Sequence, residues 1–147
     1  MIHHINFRVL AHATEDVSRV RMALDFFLSS SGAQERAKLI EELCVEGHHG
    51  NPITIYSAQL KKKAECLAFA RFVRGKLSEA DVLKLRAEMP ERLDEDLVFH
   101  LRFDKQAAYL GEVKLTEASD AITTKVKIAT YPKSWEKAGP IVEELFG

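Results

Sequence analysis

The sequence predicts a single α+β domain: a largely antiparallel sheet with helices packed on one face. Helical stripes are grouped in the first two thirds of the chain, and the last third returns to period-two alternation, the order expected when helices and sheet segregate into layers. The 147 residues, 46% hydrophobic and 29% charged, suit one domain spanning 1–147 with a substantial core.

Residues 2–12, IHHINFRVLAH, alternate. Ile5, Phe7, Val9 and Ala11 would face inward, and His4, Asn6, Arg8 and His12 outward, as in a half-buried strand. Thr14 is positioned to cap a helix, with Glu15 and Asp16 in its first turn, where the helix dipole favours acids. Val17, Val20, Leu24, Phe27 and Leu28 form its apolar stripe. Residues 35–46 fit either element, and LCVEG favours a strand by the second half. Ile53, Ile55 and the β-favouring Tyr56 make another strand. A helix over about 60–77 follows, with Cys66, Phe69, Ala70, Val73 and Leu77 on one side. Ser78 and Asp81 resemble a capping box opening a helix that Pro90 should end.

In 97–104, LVFHLRFD, Leu97, Phe99, Leu101 and Phe103 point inward and Val98, His100 and Arg102 outward. After Gly111, Val113 and Leu115 alternate with Glu112 and Lys114 as a further strand. In 122–131, Ile122, Thr124, Val126 and Ile128 point inward, and Lys125, Lys127 and Tyr131 outward. Ser134 caps a short final helix that Gly139-Pro140 should interrupt.

The net charge of −1 and pI near 6.6 exclude a generic polycation, so any nucleic-acid binding requires cations segregated onto one face. The outward set supplies such a face: His4, Arg8, His12, Tyr56, His100, Arg102, Lys114, Lys125, Lys127 and Tyr131, opposed by Glu112 and Asp104. Cations displace counterions along phosphates, and rings stack on unpaired bases. Acid is concentrated instead in EMPERLDEDL at 88–97. The plain alternative is an ordinary solvent face, on which lysine and threonine are common.

The stretch EGHHGNPI at 46–53 reads first as a hairpin loop. Gly47 and Gly50 permit positive φ, and Pro52 can start a strand where no ladder donor is needed. His48, His49 and Asn51 would present hydrogen-bonding heads beside open backbone amides. No metal is expected, because adjacent histidines on extended backbone diverge, and no cofactor is expected. Cys44 and Cys66 lie among apolar residues without a CxxC, as buried free thiols in a reducing, cytoplasmic setting. Neither a signal peptide nor a membrane helix is expected, since no leader pattern and no long apolar run is visible. Paired-carboxylate, Ser-His-Asp and phosphate-loop signatures are missing, so no catalytic residue is expected.

The segments FRVLAHATED at 7–16, EGHHGNPI at 46–53 and LRFDKQAAYLGEVKL at 101–115 resemble the family of small archaeal RNA-binding proteins also described as predicted exosome subunits, long a domain of unknown function. The resemblance spans nearly the whole chain. His12, Ala13 and Thr14 match its first motif, and Gly47, His49, Gly50, Asn51 and Pro52 its second. It implies a fold grouped with the large-subunit ribosomal protein that binds 5S RNA, and a link to RNA processing. The expected function is therefore a non-catalytic RNA-binding module, an accessory of RNA processing or of the exosome. Its expected ligand is single-stranded RNA or a structured loop, held by His4, Arg8, His12, His48, His49, Asn51, His100, Arg102, Lys125, Lys127 and Tyr131. The alternatives are a protein-interaction subunit whose open sheet docks an RNA-processing protein or a second copy as a homodimer, and a small histidine-based metal protein or enzyme.

Overall fold

The computed structural model describes residues 1–147, the side chain of His48 excepted. The elements run β1 (Ile2–Ala11), α1 (Val17–Ser30), α2 (Arg36–Leu39), β2 (Glu41–Glu46), a short 3₁₀ turn (His48–Gly50), β3 (Pro52–Leu60), α3 (Lys63–Lys76), α4 (Glu79–Arg92), β4 (Val98–Phe103), α5 (Lys105–Tyr109), β5 (Ile122–Ile128) and α6 (Trp135–Phe146). The five strands form one sheet in the order β2-β3-β1-β5-β4, with every pairing antiparallel. Helices α1 and α3 pack on β1, α4 on β4 and α6 on β5. The expected α+β layering is what the chain adopts.

The layer between sheet and helices is aromatic. Phe7 of β1 meets Phe69 of α3 edge-on at 5.1 Å between ring centroids, and Phe27 of α1 lies 4.7 Å from Phe103 of β4. Alternation works as expected in β1, β4 and β5, where Ile5, Phe7, Val9, Phe99, Leu101, Phe103, Ile122, Val126 and Ile128 are buried. On β5 one polar group goes in with them: the Thr124 hydroxyl is fully buried without a hydrogen-bond partner among the described residues.

Several local expectations are corrected. Asp16, not Thr14, caps α1, its carboxylate accepting from the backbone amides of Ser18 and Arg19. Glu15 is drawn away from the helix by Lys105, and Val17 sits exposed at the helix start. Pro90 lies within the last turn of α4 and Pro140 within α6, so neither ends its helix. Ser78 and Ser134 do cap α4 and α6, as expected. Residues 111–117 form no strand; one isolated bridge, Phe103 to Leu115, ties them to the edge of β4, and Lys114 and Glu112 therefore lie outside the five strands. Cys66 is buried, with burial pushing its thiol up to about 11, but Cys44 is exposed on the edge strand; both are free.

Tyr56 is the largest correction. It was expected outward, yet it is 2% exposed on the helix-covered side of β3, with its hydroxyl donating to Glu42 Oε1 at 2.9 Å. Burial, and then the Glu42 hydrogen bond, push that hydroxyl up to about 12. The register decides this. Tyr56 stands opposite Val9, so Ile53 and Ile55 turn to the open side beside Leu43 and Val45 of β2.

The β2–β3 loop turns as its glycines suggest, by different means. Gly50 has φ +75°, in the left-handed region, and His49 precedes it at φ +59°. Gly47 avoids crowding instead: a Cβ there would lie 2.5 Å from Ile53 Cδ1 and 3.0 Å from the Asn51 carbonyl oxygen, so the Ile53 side chain would have to shift. The Gly47 amide closes the loop by donating to the Asn51 carbonyl at 2.6 Å.

Candidate nucleic-acid interface

Among the described residues, the helices that pack on the sheet lie on its first face and only the short α2 borders the second, whose centre is polar and cationic. Antiparallel pairing lines the side chains up in rows. Arg8 of β1 stands opposite Ser57 of β3 on one side and Thr123 of β5 on the other, and Thr123 in turn faces Arg102 of β4. In the next row Asn6 lies between Gln59 and Lys125, and Lys125 faces His100. Gln59 Nε2 donates to Asn6 Oδ1 at 2.8 Å, which fixes both amides. Arg8, Arg102 and Lys125 are exposed and enter no ion pair among the described residues.

A groove of about 870 Å³ crosses this face over β3, β1 and β5. Lys38 and Leu39 of α2 stand along it, as do Ser119–Ala121 ahead of β5. Arg8, Lys61 and Lys125 project cations into it, against Glu41 and Asp120. Lys61 thus gives the KKK run at 61–63 its one point of entry to the groove.

At the β1 end the groove meets a charge cluster built around one buried lysine. Lys105, 8% exposed at the start of α5, donates from Nζ to the Leu10 carbonyl at 3.0 Å, to Glu15 Oε1 at 2.8 Å and to Asp120 Oδ1 at 2.9 Å. Glu15 also accepts from the His12 amide at 3.0 Å, and His12 Nε2 lies 3.4 Å from Asp120 Oδ1. One ligand atom each from His12, Glu15 and Asp120 falls within 4.8 Å of the others, a spacing a divalent ion could use. The Lys105 ammonium already bridges the two carboxylates, so the chain supplies its own cation at this point.

Of the residues expected to bind, the fold brings Arg8, His12 and Lys125 together along the groove and sets Arg102 and His100 beside it. His4 shares the face opposite Lys127. Partial burial, then the neighbouring His3, Lys127 and Lys61, lower its basicity, so at pH 7 it contributes a neutral ring. His100 and Lys127 are engaged by the acidic turn. His100 Nε2 lies 2.8 Å from Asp94 Oδ2, and Lys127 Nζ donates to the Asp96 carbonyl. The acid at 88–97 therefore reaches the margin of the open face instead of lying apart from it. Tyr131 lies past the end of β5 in the loop before Pro132, 84% exposed and off the sheet. His49 and Asn51 sit in the β2–β3 loop, which does not line the groove, and the His48 side chain lies outside the described residues. Sequence reading missed Lys105, Asp120, Ser57, Gln59 and Thr123 as parts of the site. Asn6 and Thr123 carried a signal, since the alternation of their strands already put those positions outward.

An antiparallel sheet covered by helices on one side, with a grooved cationic centre on the other, defines a class: the α+β proteins that keep one charged sheet face open. The particular family follows from comparison with known proteins. Residues 4–128 match the family model described as RNA binding, and the chain belongs to that family. It is 36% identical over 142 residues to the RNA-binding protein PAB1135 of Pyrococcus abyssi, covering 97% of this chain and 92% of the relative. Among solved structures, protein AF2318 from Archaeglobus fulgidus, of the DUF54 family, superposes with a TM-score of 0.83 at 32% identity, over 99% of both chains. Mth689, a DUF54 protein from Methanothermobacter thermautotrophicus, does so with a TM-score of 0.78 at 30% identity, over 100% of this chain and 99% of its own.

Proposed function

We propose that this protein binds RNA on the open face of its sheet, through the groove floored by β3, β1 and β5, and acts as a non-catalytic accessory in RNA processing, of the exosome kind. The carrying observation is the group Arg8, Arg102 and Lys125: three exposed cations in neighbouring rows, none in an ion pair among the described residues. Although Glu41 and Asp120 also border the groove, these three side chains stand on the open sheet without a carboxylate partner among the described residues, and phosphates are the ligands such an arrangement suits. The family's description and the name of the Pyrococcus relative point the same way. A binding role fits the β1-end cluster too, because the Asp120 oxygen nearest His12 is already committed to Lys105.

The test is fluorescence anisotropy with labelled RNA at several salt concentrations. Arg8→Glu and Lys125→Glu should each weaken binding whatever the RNA sequence, and should flatten the salt dependence by about one released ion per lost phosphate contact. Lys127→Ala should do less, its ammonium being occupied by Asp96. Unchanged affinity in a folded Arg8→Glu, Lys125→Glu double variant would move the site off this face.

One observation supports a second reading. Leu43, 59% exposed, and Val45 of the unpaired edge of β2 share the open face with Ile53 and Ile55, an apolar margin suited to a protein contact.

A further inference from the structure

The open face has a composition unusual for a surface that handles unpaired bases. Its strand residues are Glu41, Leu43 and Val45 on β2; Ile53, Ile55, Ser57 and Gln59 on β3; His4, Asn6, Arg8 and Leu10 on β1; Thr123, Lys125 and Lys127 on β5; and Val98, His100 and Arg102 on β4. None is phenylalanine, tyrosine or tryptophan. The aromatic side chains are spent elsewhere. Phe7, Phe27, Phe69, Phe99, Phe103, Phe146 and Tyr56 are buried in the core, and Phe26 and Phe72 meet each other on helices α1 and α3. Tyr109 lies under the Arg19 guanidinium on α5. Trp135 donates to the Leu93 carbonyl from α6, and Tyr131 stands in a loop. The imidazoles at this face are each engaged by a neighbour: His4 Nδ1 lies 2.7 Å from His3 Nδ1, His100 is tied to Asp94, and His12, at the rim of the groove, lies 3.4 Å from Asp120.

Sheets that bind single strands do so by stacking splayed bases on aromatic rings. This sheet offers cations, amides and hydroxyls instead. Arg8, Arg102 and Lys125 suit phosphates. The Asn6–Gln59 pair, fixed by its own hydrogen bond, still has an amide N–H₂ and a carbonyl oxygen to present, and Ser57 and Thr123 add hydroxyls beside it. Groups that both donate and accept are what a ribose 2′-hydroxyl requires, since it does both. Bases that stay paired and stacked in a helix need no ring from the protein, and their sugar–phosphate ridge is the part a polar groove can grip.

We infer that the ligand of this face is double-helical RNA, recognised through its phosphates and 2′-hydroxyls, and not a single strand read by base stacking. The inference rests on the assignment of RNA to the open face made above.

The experiment compares three labelled probes by fluorescence anisotropy: an oligouridine strand, an RNA hairpin with a fully paired stem, and the DNA hairpin of the same sequence. The RNA hairpin should bind roughly tenfold or more tightly than either of the others, as a 2′-hydroxyl reader of helical shape requires. An Asn6→Ala, Gln59→Ala double variant should bring the RNA and DNA hairpins to similar affinity while leaving the salt slope unchanged. Tyr131→Ala should leave hairpin affinity as it was. Oligouridine binding as tightly as the RNA hairpin, or equal affinity of the unmodified protein for RNA and DNA hairpins, would overturn the inference while sparing the RNA reading. No binding to any probe would overturn both. Should the double variant fail to fold, the three-probe comparison on the unmodified protein decides the matter by itself.

Discussion

The Lys105 ammonium lies 2.9 Å from the Asp120 carboxylate and 2.8 Å from that of Glu15, and so ties the segment ahead of β5 to the turn after β1 from beneath the groove. The lysine side chain is 9% exposed, and its partners are 22% and 46% exposed. Removing its charge leaves two carboxylates facing each other, but water reaches both, so the loss falls below that of a fully buried pair. Lys105→Met should destabilise the fold by about 1–3 kcal/mol in urea denaturation. It should also lower RNA affinity by freeing Ser119–Ala121 to move. Asp120→Asn should cost less. An unchanged urea midpoint in Lys105→Met would show the cluster to be structurally idle.

The acid limb of stability should carry a signature of Asp94. Partial burial raises the affinity of this carboxyl for its proton. Hydrogen bonds from His100 and from the Val98 and Asp96 amides outweigh that effect and hold it below the ordinary carboxylate range. The folded state therefore prefers the ionised form. Its contribution is complete above the unfolded value of about 3.9 and is lost as pH falls through the lowered folded value. Asp94→Asn should flatten the decline in stability below about pH 4. Identical acid-denaturation profiles for the two proteins would refute this.

Thr124 offers the opposite kind of test. Its buried hydroxyl lacks a partner among the described residues, and an unsatisfied buried donor costs more than its absence. Thr124→Val keeps the shape and removes the polar atom, so it should stabilise the protein by about 1 kcal/mol. Calorimetry should show a melting temperature raised by a few degrees, roughly 2–6 °C. A lowered one would mean that the hydroxyl has a partner.

The candidate face was legible where one phase of a strand is clearly the more apolar. In β1, β4 and β5 that condition holds despite Leu10 and Val98 on the open side, and Arg8, Arg102 and Lys125 were placed correctly by alternation. In β3 it does not. ITIYSAQL has isoleucines at one phase and Ala58 and Leu60 at the other, so the segment cannot set its own facing, and Tyr56 was put on the wrong side. Tyr131 failed for a related reason: alternation was carried past the point where β5 stops pairing.

Local chemistry written in neighbouring residues survived folding intact: the alternation of the central strands, the Ser78 and Ser134 caps, the left-handed Gly50. These depend on backbone sterics and on partners a few positions away, so the sequence by itself determined them. Whatever depends on partners far along the chain was decided by the tertiary structure. Lys105 meets Leu10 and Glu15, and Gln59 meets Asn6. The phase of β3 belongs to this second group, because hydrogen-bond register between strands, not the pattern within one, fixes which side chains share a face.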